Sequence, residues 1–260
     1  MRIALGVEYV GKAYMGWERQ KHGATVQAAL EAALAKVANH PVITVCAGRT
    51  DSGVHAYGQV VHFDAQYPRP ESAWLKGTNS YLPDDIVVRW VRFVGDEFHA
   101  RFKAQARAYR YVIYCDPVAP AIGRGLVTWE YRSLDTGLMD AASQYLLGEH
   151  NFEAYRARSC QAHSPVRTIQ RIGVARSGAL VVLDVQANGF LHHMVRNIAG
   201  VLMAVGMGKE PPAWAQAVLL SEDRTCAGVT APPHGLYFIG VQYPREFGIP
   251  FELPATPALW

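Results

Sequence analysis

The order of hydrophobic and polar positions predicts alternating strands and helices in the first half of the chain. From Arg2 to Val10 every second residue is apolar, which is the period of a β-strand with one buried face. After Thr25, which can cap a helix, apolar residues recur every three or four positions as far as Asn39. The other predicted elements are a helix at 71–81, which ends before Pro83, and strands at 42–47, 59–64 and 86–94.

The second half of the chain predicts a similar set of elements. A strand at 108–114 precedes a helix that Asp135 can cap. A hairpin turns at Ser177-Gly178, between strands at 168–176 and 179–186. The last elements are two helices and a strand, at 190–207, 212–220 and 236–243.

These elements indicate an α+β protein, because the order β-α-β-β-α-β in the first half is the ferredoxin-like arrangement. We predict that residues 1–103 and 104–245 form two ferredoxin-like (RRM-like) halves that share an extended antiparallel sheet. The Pro-rich residues 246–260 are predicted to run over the surface as a tail.

The composition is that of a globular protein, since half of the 260 residues are hydrophobic and 18% are charged. No apolar run is long enough to span a membrane, and the N-terminus lacks the features of a signal peptide. The four cysteines are far apart, at spacings that match neither metal-binding nor redox motifs. We therefore expect free thiols and a cytoplasmic protein.

Basic charge is concentrated in two stretches without any acidic residue, at 98–115 and 155–183. Most of their bases are arginines, and several lie near aromatic residues. Arginine binds phosphates bidentately, and aromatic faces stack on unpaired bases. A solvated basic face would explain either stretch alone, but the two together favour a polyanionic partner. The candidate RNA-binding residues are Arg101, Arg107, Arg110 and Arg167.

The loop from Gly48 to His55 carries the candidate chemistry. Arg49 and Asp51 are two residues apart, so an extended backbone would point both to the same side, and a neighbouring Arg lowers the pKa of an Asp. An ionised carboxylate can act as a nucleophile or stabilise positive charge at a sugar carbon. Asp-Ser-Gly is also common turn chemistry, and the residues alone favour the turn.

The loop resembles that of the TruA-type tRNA pseudouridine synthases, through Gly48-Arg49-Thr50-Asp51 and Gly53-Val54-His55. Matching motifs occur in order over nearly the whole chain: Tyr14-Met15-Gly16-Trp17, Thr25-Val26-Gln27, Asn79-Ser80, Asp85-Ile86, Phe98-His99-Ala100-Arg101-Phe102, Tyr109-Arg110-Tyr111, Ser164-Pro165-Val166-Arg167, Phe190-Leu191-His192-His193-Met194-Val195-Arg196-Asn197 and Gly235-Leu236-Tyr237. Glu18, where the family usually has Gln, departs from this pattern.

The resemblance implies the pseudouridine synthase fold and isomerisation of uridine to pseudouridine at positions 38, 39 and 40 of the tRNA anticodon stem-loop, without a cofactor or metal. Asp51 is then the nucleophile, which attacks C1′ of the ribose or C6 of a uracil that is flipped into a cleft between the domains. Tyr109 would stack on the uracil, Arg196 would pair with the catalytic carboxylate, and Arg49 would contact the RNA or steady the loop. A homodimer is implied as well.

Structural alternatives remain open for these residues. Tyr109 could be a core residue of its strand, and Arg196 could lie over the surface of its helix. A non-catalytic RNA-binding module would use the same basic and aromatic clusters. A metal-dependent hydrolase is disfavoured, because His192 and His193 are adjacent on the predicted helix and diverge by about 100°.

Overall fold

The computed structural model of the chain describes residues 1–254 and confirms the α+β class, with a large and mostly antiparallel sheet. The helices are α1 (Val26–Ala38), α2 (Glu71–Asn79), α3 (Thr136–Gln144), α4 (Met194–Gly206) and α5 (Trp214–Ser221). The strands are β1 (Arg2–Tyr9), β2 (Val45–Cys46), β3 (His55–Asp64), β4 (Ile86–Val94), β5 (Ala106–Cys115), β6 (Thr128–Glu130), β7 (Gly148–Asn151), β8 (Val166–Ser177), β9 (Leu180–Ala187) and β10 (Leu236–Gln242). Within 1–254, every helix is too short or too polar to cross a lipid bilayer.

The described chain divides into two units, which are Met1–Gln105 with Tyr237–Pro254, and Ala106–Leu236. In the first unit, β1 lies between β4 and β3 and is antiparallel to both, and β10 runs parallel to β3. The strand β1 is buried on both faces rather than on one, because Ala4 is fully buried and the indole of Trp90 covers Gly6. The helices α1 and α2 pack against each other in this unit, and Trp74 of α2 contacts Phe63 of β3.

In the second unit the strand order is β5-β9-β8-β7, with β6 parallel to β5. The predicted hairpin is confirmed, since β8 and β9 pair in antiparallel register around Gly178. The helices α3 and α4 pack together, and the apolar residues Ile198, Val201 and Val205 of α4 are buried. The sequence did not predict β6 and β7, which at 3 and 4 residues are too short to show a period of two.

Predicted helix caps are confirmed, but several element boundaries differ, among them the start of β3 at His55 and the end of α2 at Asn79, and two of the differences have identifiable reasons. Thr25 and Asp135 accept hydrogen bonds from the first turns of α1 and α3, as expected. The strand expected at 42–47 shrinks to β2, because the backbone N–H of Thr44 donates to the carboxylate of Glu31 instead of a neighbouring strand. The helix expected from Phe190 begins four residues later, after His193 adopts a left-handed conformation with φ 62°.

The segment that follows β10 belongs to the first unit and packs within it. The hydroxyl of Tyr243 donates to the carbonyl of Ala100 at 2.5 Å, and the ring of Phe247 contacts that of Phe98. Phe247 is buried, so the predicted surface tail is interrupted at this position. Residues 255–260 of that predicted tail lie outside the described residues.

Candidate active site

The Asp51 loop contains a tight turn. The carbonyl oxygen of Asp51 accepts a hydrogen bond from the N–H of Val54 at 3.1 Å, and Gly53 has φ 78°. A positive φ at the third residue of such a turn favours Gly. The turn that Asp-Ser-Gly predicts is therefore present, and it places the half-buried side chain of Asp51 at its first position. A turn and a catalytic carboxylate are compatible at this site.

The segment from Tyr14 to Trp17 supports the turn through hydrogen bonds on both sides of Asp51. The N–H of Trp17 donates to the carbonyl of Thr50 at 3.0 Å. The hydroxyl of Ser52 and the N–H of Gly53 both donate to the carbonyl of Tyr14, at 3.2 and 3.4 Å. These contacts restrict the backbone immediately before and after Asp51, which orients its carboxylate.

The hydroxyl groups of Tyr14 and Tyr9 form further hydrogen bonds that stabilise the Asp51 loop and the segment beside it. The Tyr14 hydroxyl donates to the carboxylate of Asp85 at 2.5 Å, and burial together with this hydrogen bond raises the pKa of Tyr14. The hydroxyl of Tyr9 and Oγ1 of Thr50 form a buried hydrogen bond of 2.7 Å. The sequence motifs containing Tyr14 and Asp85 are thus joined in space. Sequence reasoning identified the motifs but missed these residues as supports of the loop.

Gly16 lies in direct contact with the loop, and replacing it tests this support. It has φ 94°, and a Cβ at this position would lie 2.6 Å from the carbonyl oxygen of Thr50. We expect Gly16→Ala to reduce the free energy of unfolding by about 1–3 kcal/mol, through backbone strain and the close contact. Turnover on tRNA should fall in the still folded protein, because the contact displaces Thr50 and with it Asp51. Chemical denaturation and a turnover assay measure the two effects.

Gly248→Ala provides the matched control. Gly248 also has a positive φ, 61°, but a Cβ there would meet no atom within 4 Å. We expect it to reduce stability by about 1 kcal/mol and to leave turnover unchanged. If Gly16→Ala behaves like Gly248→Ala in both assays, the close approach to Thr50 does not support the loop.

Arg49 lies beside the turn but pairs with Glu18. Its guanidinium donates to Glu18 at 2.9 Å, and the two side chains are 65% and 47% exposed. The orientation of Arg49 toward Asp51 stays a prediction; the ion pair that the structure shows for Arg49 is with Glu18. An exposed ion pair of this kind contributes little to stability, which leaves the guanidinium able to exchange partners.

Tyr109 and Arg196 lie in the second unit. Tyr109 is a buried residue of β5, as its alternating pattern allows, and its ring meets the edge of Phe190 with centroids 4.9 Å apart. Arg196 is half-buried on α4, and its Nε donates to the carbonyl of Ala231 at 2.8 Å. This hydrogen bond restrains the guanidinium, so Arg196 is not a mobile side chain on the helix surface.

Three of the predicted RNA-binding arginines are at least partly accessible. Arg101 is exposed, with its guanidinium carbon 5.6 Å from the ring centroid of Phe102. Arg107 and Arg167 are half-buried and donate to backbone carbonyls, and burial lowers the pKa of Arg167. The guanidinium of each of these three arginines is therefore available to bind a phosphate.

Arg110 differs from these three. It is only 6% exposed, and its guanidinium forms a bidentate ion pair with Asp184 at 2.7 and 2.8 Å. The pair connects β5 to β9 at directly opposed positions in the register. This environment favours a structural role for Arg110 over the direct RNA contact that the sequence predicted.

The prediction that His192 and His193 lie on a helix is wrong. His192 and His193 precede α4 instead of lying on it, and their ring centroids are 4.1 Å apart. The divergence of about 100° expected for neighbours on a helix does not apply to them. Nδ1 of His192 lies 3.2 Å from the hydroxyl of Ser159, and the backbone N–H of His192 donates to the sulfur of Cys160 at 3.5 Å.

Comparison with known proteins places these features in one family. A family model described as tRNA pseudouridine synthase matches residues 6–103 and 142–244. A protein of Pseudomonas aeruginosa named tRNA pseudouridine synthase A is 56% identical over 96% of this chain and 88% of its own length. Proteins of the same name from Alcanivorax borkumensis and Legionella pneumophila are 54% and 52% identical over the whole chain, which spans 97% and 99% of their lengths.

Proposed function

Because the chain belongs to the tRNA pseudouridine synthase family, we propose that Asp51 is the nucleophile with which it converts uridine to pseudouridine in the anticodon stem-loop. Membership makes the protein an isomerase that acts on tRNA. The finer proposal covers positions 38, 39 and 40, a base flipped out of its stack into an interdomain cleft, and no cofactor. The observation that carries it is the half-buried carboxylate of Asp51 on a turn restrained on both sides.

In the first route, the carboxylate of Asp51 attacks C1′ of the ribose. A carboxylate oxygen of Asp51 bonds to C1′ as the bond from C1′ to N1 of uracil breaks, and the base leaves with the electron pair. The base rotates, C5 bonds to C1′, and the carboxylate is released. C5 then loses its proton, and N1 gains one. The alternative is addition of the same carboxylate to C6 of the uracil, and both routes require Asp51 to be ionised.

Two residues of the second unit are proposed to act on the same nucleotide. We assign Tyr109 to stacking on the uracil and to removal of the proton from C5, supported by its restrained ring against Phe190. We assign Arg196 to pairing with the carboxylate of Asp51, supported by the fixed direction of its guanidinium. Arg101, Arg107 and Arg167 are proposed to contact the RNA backbone, and Arg110 to act only through the architecture of the sheet.

We further propose a homodimer in the cytoplasm, where unmodified tRNA is available. Exposed apolar side chains support an association between copies, among them Ile122, Trp129 and Tyr131 of the second unit. Sedimentation equilibrium distinguishes a dimer from a monomer, and a monomer that retains full turnover contradicts this part of the proposal.

Glu18→Gln is expected to strengthen tRNA binding about twofold to fivefold, the value of one exposed ion pair. The substitution releases Arg49 from Glu18 and removes a negative charge beside the site. The gain should shrink as salt rises, since salt screens exposed charges. Titration of tRNA binding at several salt concentrations measures both effects.

Glu8→Gln is the matched control for this substitution, because Glu8 forms an exposed ion pair with Arg89 at 3.4 Å in the same unit. It changes the net charge equally but leaves Arg49 paired. Equal gains in both variants would mean that Arg49 has no particular contact with the RNA.

Mapping pseudouridine on tRNA tests the proposed substrate positions. Unmodified tRNA transcripts are incubated with the purified protein, labelled with a reagent that reacts with pseudouridine, and read by reverse transcription. We expect stops at uridines of the anticodon stem-loop and none when those uridines are replaced by cytidine. Stops confined to other regions of the tRNA contradict the proposed positions while leaving the isomerase activity intact. Tight binding without any stop would indicate a non-catalytic RNA-binding module.

A further inference from the structure

The segment 224–231, a single 3₁₀ turn at Arg224–Cys226 followed by irregular backbone, contacts α4 at Arg196 and Asn197. The guanidinium of Arg224 forms hydrogen bonds within this segment, since it donates to the carbonyls of Ala227 and Gly228 at 3.3 and 3.1 Å. It also donates to Oγ1 of Thr230 at 2.8 Å and to Oδ1 of Asn197 at 3.1 Å. The hydroxyl of Thr230 donates to the same Asn197 oxygen at 2.7 Å. The side chain of Arg224, at one end of the segment, thus contacts both Thr230 near the other end and Asn197 of α4.

The end of this segment bonds directly to Arg196. The N–H of Ala231 donates to the carbonyl of Arg196 at 3.1 Å, and the carbonyl of Ala231 accepts from the guanidinium Nε at 2.8 Å. The backbones are in close contact one turn further along α4, since a Cβ on Gly200 would lie 1.9 Å from the carbonyl oxygen of Val229. The direction of the Arg196 guanidinium therefore depends on where residues 229–231 lie.

The anchor on the helix side is rigid. Asn197 is 1% exposed, and its amide nitrogen donates to the carbonyl of Tyr155 at 2.7 Å. Its Oδ1 is consequently a fixed point to which both Arg224 and Thr230 donate. The backbone from Ala227 to Ala231 lies in neither a helix nor a strand. Besides the backbone bonds of Ala227 and Ala231, side-chain hydrogen bonds supply the order that regular backbone pairing supplies elsewhere.

We propose that Arg224 and Thr230 are positioning residues that orient Arg196 for the isomerisation, through the carbonyl of Ala231. The inference rests on the role proposed above for Arg196. Neither residue touches the reacting atoms. Their hydrogen bonds fix the acceptor of Nε, and because a guanidinium is planar, fixing Nε and its acceptor sets the directions of the terminal nitrogens. A small displacement of such a group is enough to slow a reaction strongly.

A double-mutant cycle between Thr230 and Arg196 tests the proposal. Thr230→Val keeps the size of the side chain and removes the hydroxyl, whereas Thr230→Ser keeps the hydroxyl. We expect Thr230→Val to lower the single-turnover rate of pseudouridine formation roughly tenfold, with tRNA affinity unchanged to within about twofold. Thr230→Ser should restore the rate. In an Arg196→Lys background, Thr230→Val should have no further effect on the rate, because the group that it orients has changed.

Each other outcome overturns a defined part of the account. If Thr230→Val lowers the rate by the same factor in both backgrounds, or weakens tRNA binding by that factor, Thr230 does not act through Arg196. If Arg196→Lys is slow but Thr230→Val is as fast as the wild type, only the positioning inference fails. If Arg196→Lys itself turns over at the wild-type rate, the proposed role of Arg196 fails, and the inference with it.

Arg224→Lys is the second variant, for the case in which Thr230→Val does not fold. Lysine keeps the charge but cannot donate from a planar fork to several acceptors at once. We expect the same selective loss of rate, with a thermal unfolding midpoint near that of the wild type. A wild-type rate for folded Arg224→Lys would exclude Arg224 as a positioning residue.

Discussion

Asp51→Asn is expected to lower pseudouridine formation by at least about a thousandfold, because a carboxamide cannot replace the attacking carboxylate. Affinity for tRNA should stay within about twofold of the wild type, since phosphate contacts supply most of the binding free energy. The folded structure should persist as well, because the backbone bonds of Thr50, Asp51 and Gly53 and the hydroxyl of Ser52 hold the turn without the carboxylate. Single-turnover assays and tRNA titration measure the two quantities.

Asp84→Asn is the charge-matched control for this substitution. Asp84 is an exposed acid of the same unit, outside the Asp51 loop, so its replacement changes the net charge equally. We expect it to leave turnover unchanged. Substantial turnover by Asp51→Asn would show that Asp51 is not the nucleophile, and a parallel loss in Asp84→Asn would make the effect one of charge alone.

Arg196→Met should lower turnover by about a hundredfold, the typical result of removing one oriented charge from a catalytic site. Methionine retains the aliphatic stem of the side chain but loses the guanidinium and its hydrogen bond to Ala231. The loss of that bond reduces the free energy of unfolding by about 1 kcal/mol. Turnover and thermal unfolding, measured on the same preparation, separate the two effects.

Arg176→Met controls for the loss of an arginine in the same unit. Arg176 also donates to a backbone carbonyl, that of Leu134 at 2.6 Å, and it is exposed. We expect a similar small change in stability and no change in turnover. If Arg196→Met instead lowers stability as much as deletion of a core side chain, which costs about 2–5 kcal/mol, Arg196 is a structural residue.

The elements that the sequence predicts well are those specified by neighbouring residues. Thr25, the apolar stripe after it and Asn39 define α1 to within one residue at each end. The alternation in β4 and the turn at Gly178 are equally local. Contacts that depend on distant residues were not predictable. The strand expected at 42–47 is shortened by a hydrogen bond from Thr44 to Glu31 on α1, which no local pattern indicates.

In the candidate site, too, only the features specified by neighbouring residues were predictable from local patterns. The turn at Asp51 follows from Asp-Ser-Gly, but a turn alone does not indicate catalysis. The assignment of Asp51, Tyr109 and Arg196 came from the family resemblance, because no local period connects residues so far apart. The bond from Tyr14 to Asp85 joins residues 71 positions apart, and it appears only once β1 and β4 are paired.

The sequence also could not predict which partner each arginine contacts. Arg107 and Arg110 are three positions apart on β5 and face opposite sides of it, and Arg110 is buried against Asp184 while Arg107 is half-buried. The partner of Arg110 comes from β9, and only the register of β5 against β9 brings them together. Composition therefore predicts a basic protein surface, whereas strand pairing decides which arginines belong to it.

Release of tritium from tRNA labelled at C5 of its uridines tests the central claim most directly, because C5 loses its hydrogen when it bonds to C1′. We expect the wild-type protein to release tritium in amounts that match the pseudouridine formed at uridines of the anticodon stem-loop. Asp51→Asn should bind the same tRNA and release none. Equal release by the wild type and Asp51→Asn, or none by the wild type while it binds tRNA, would contradict the account.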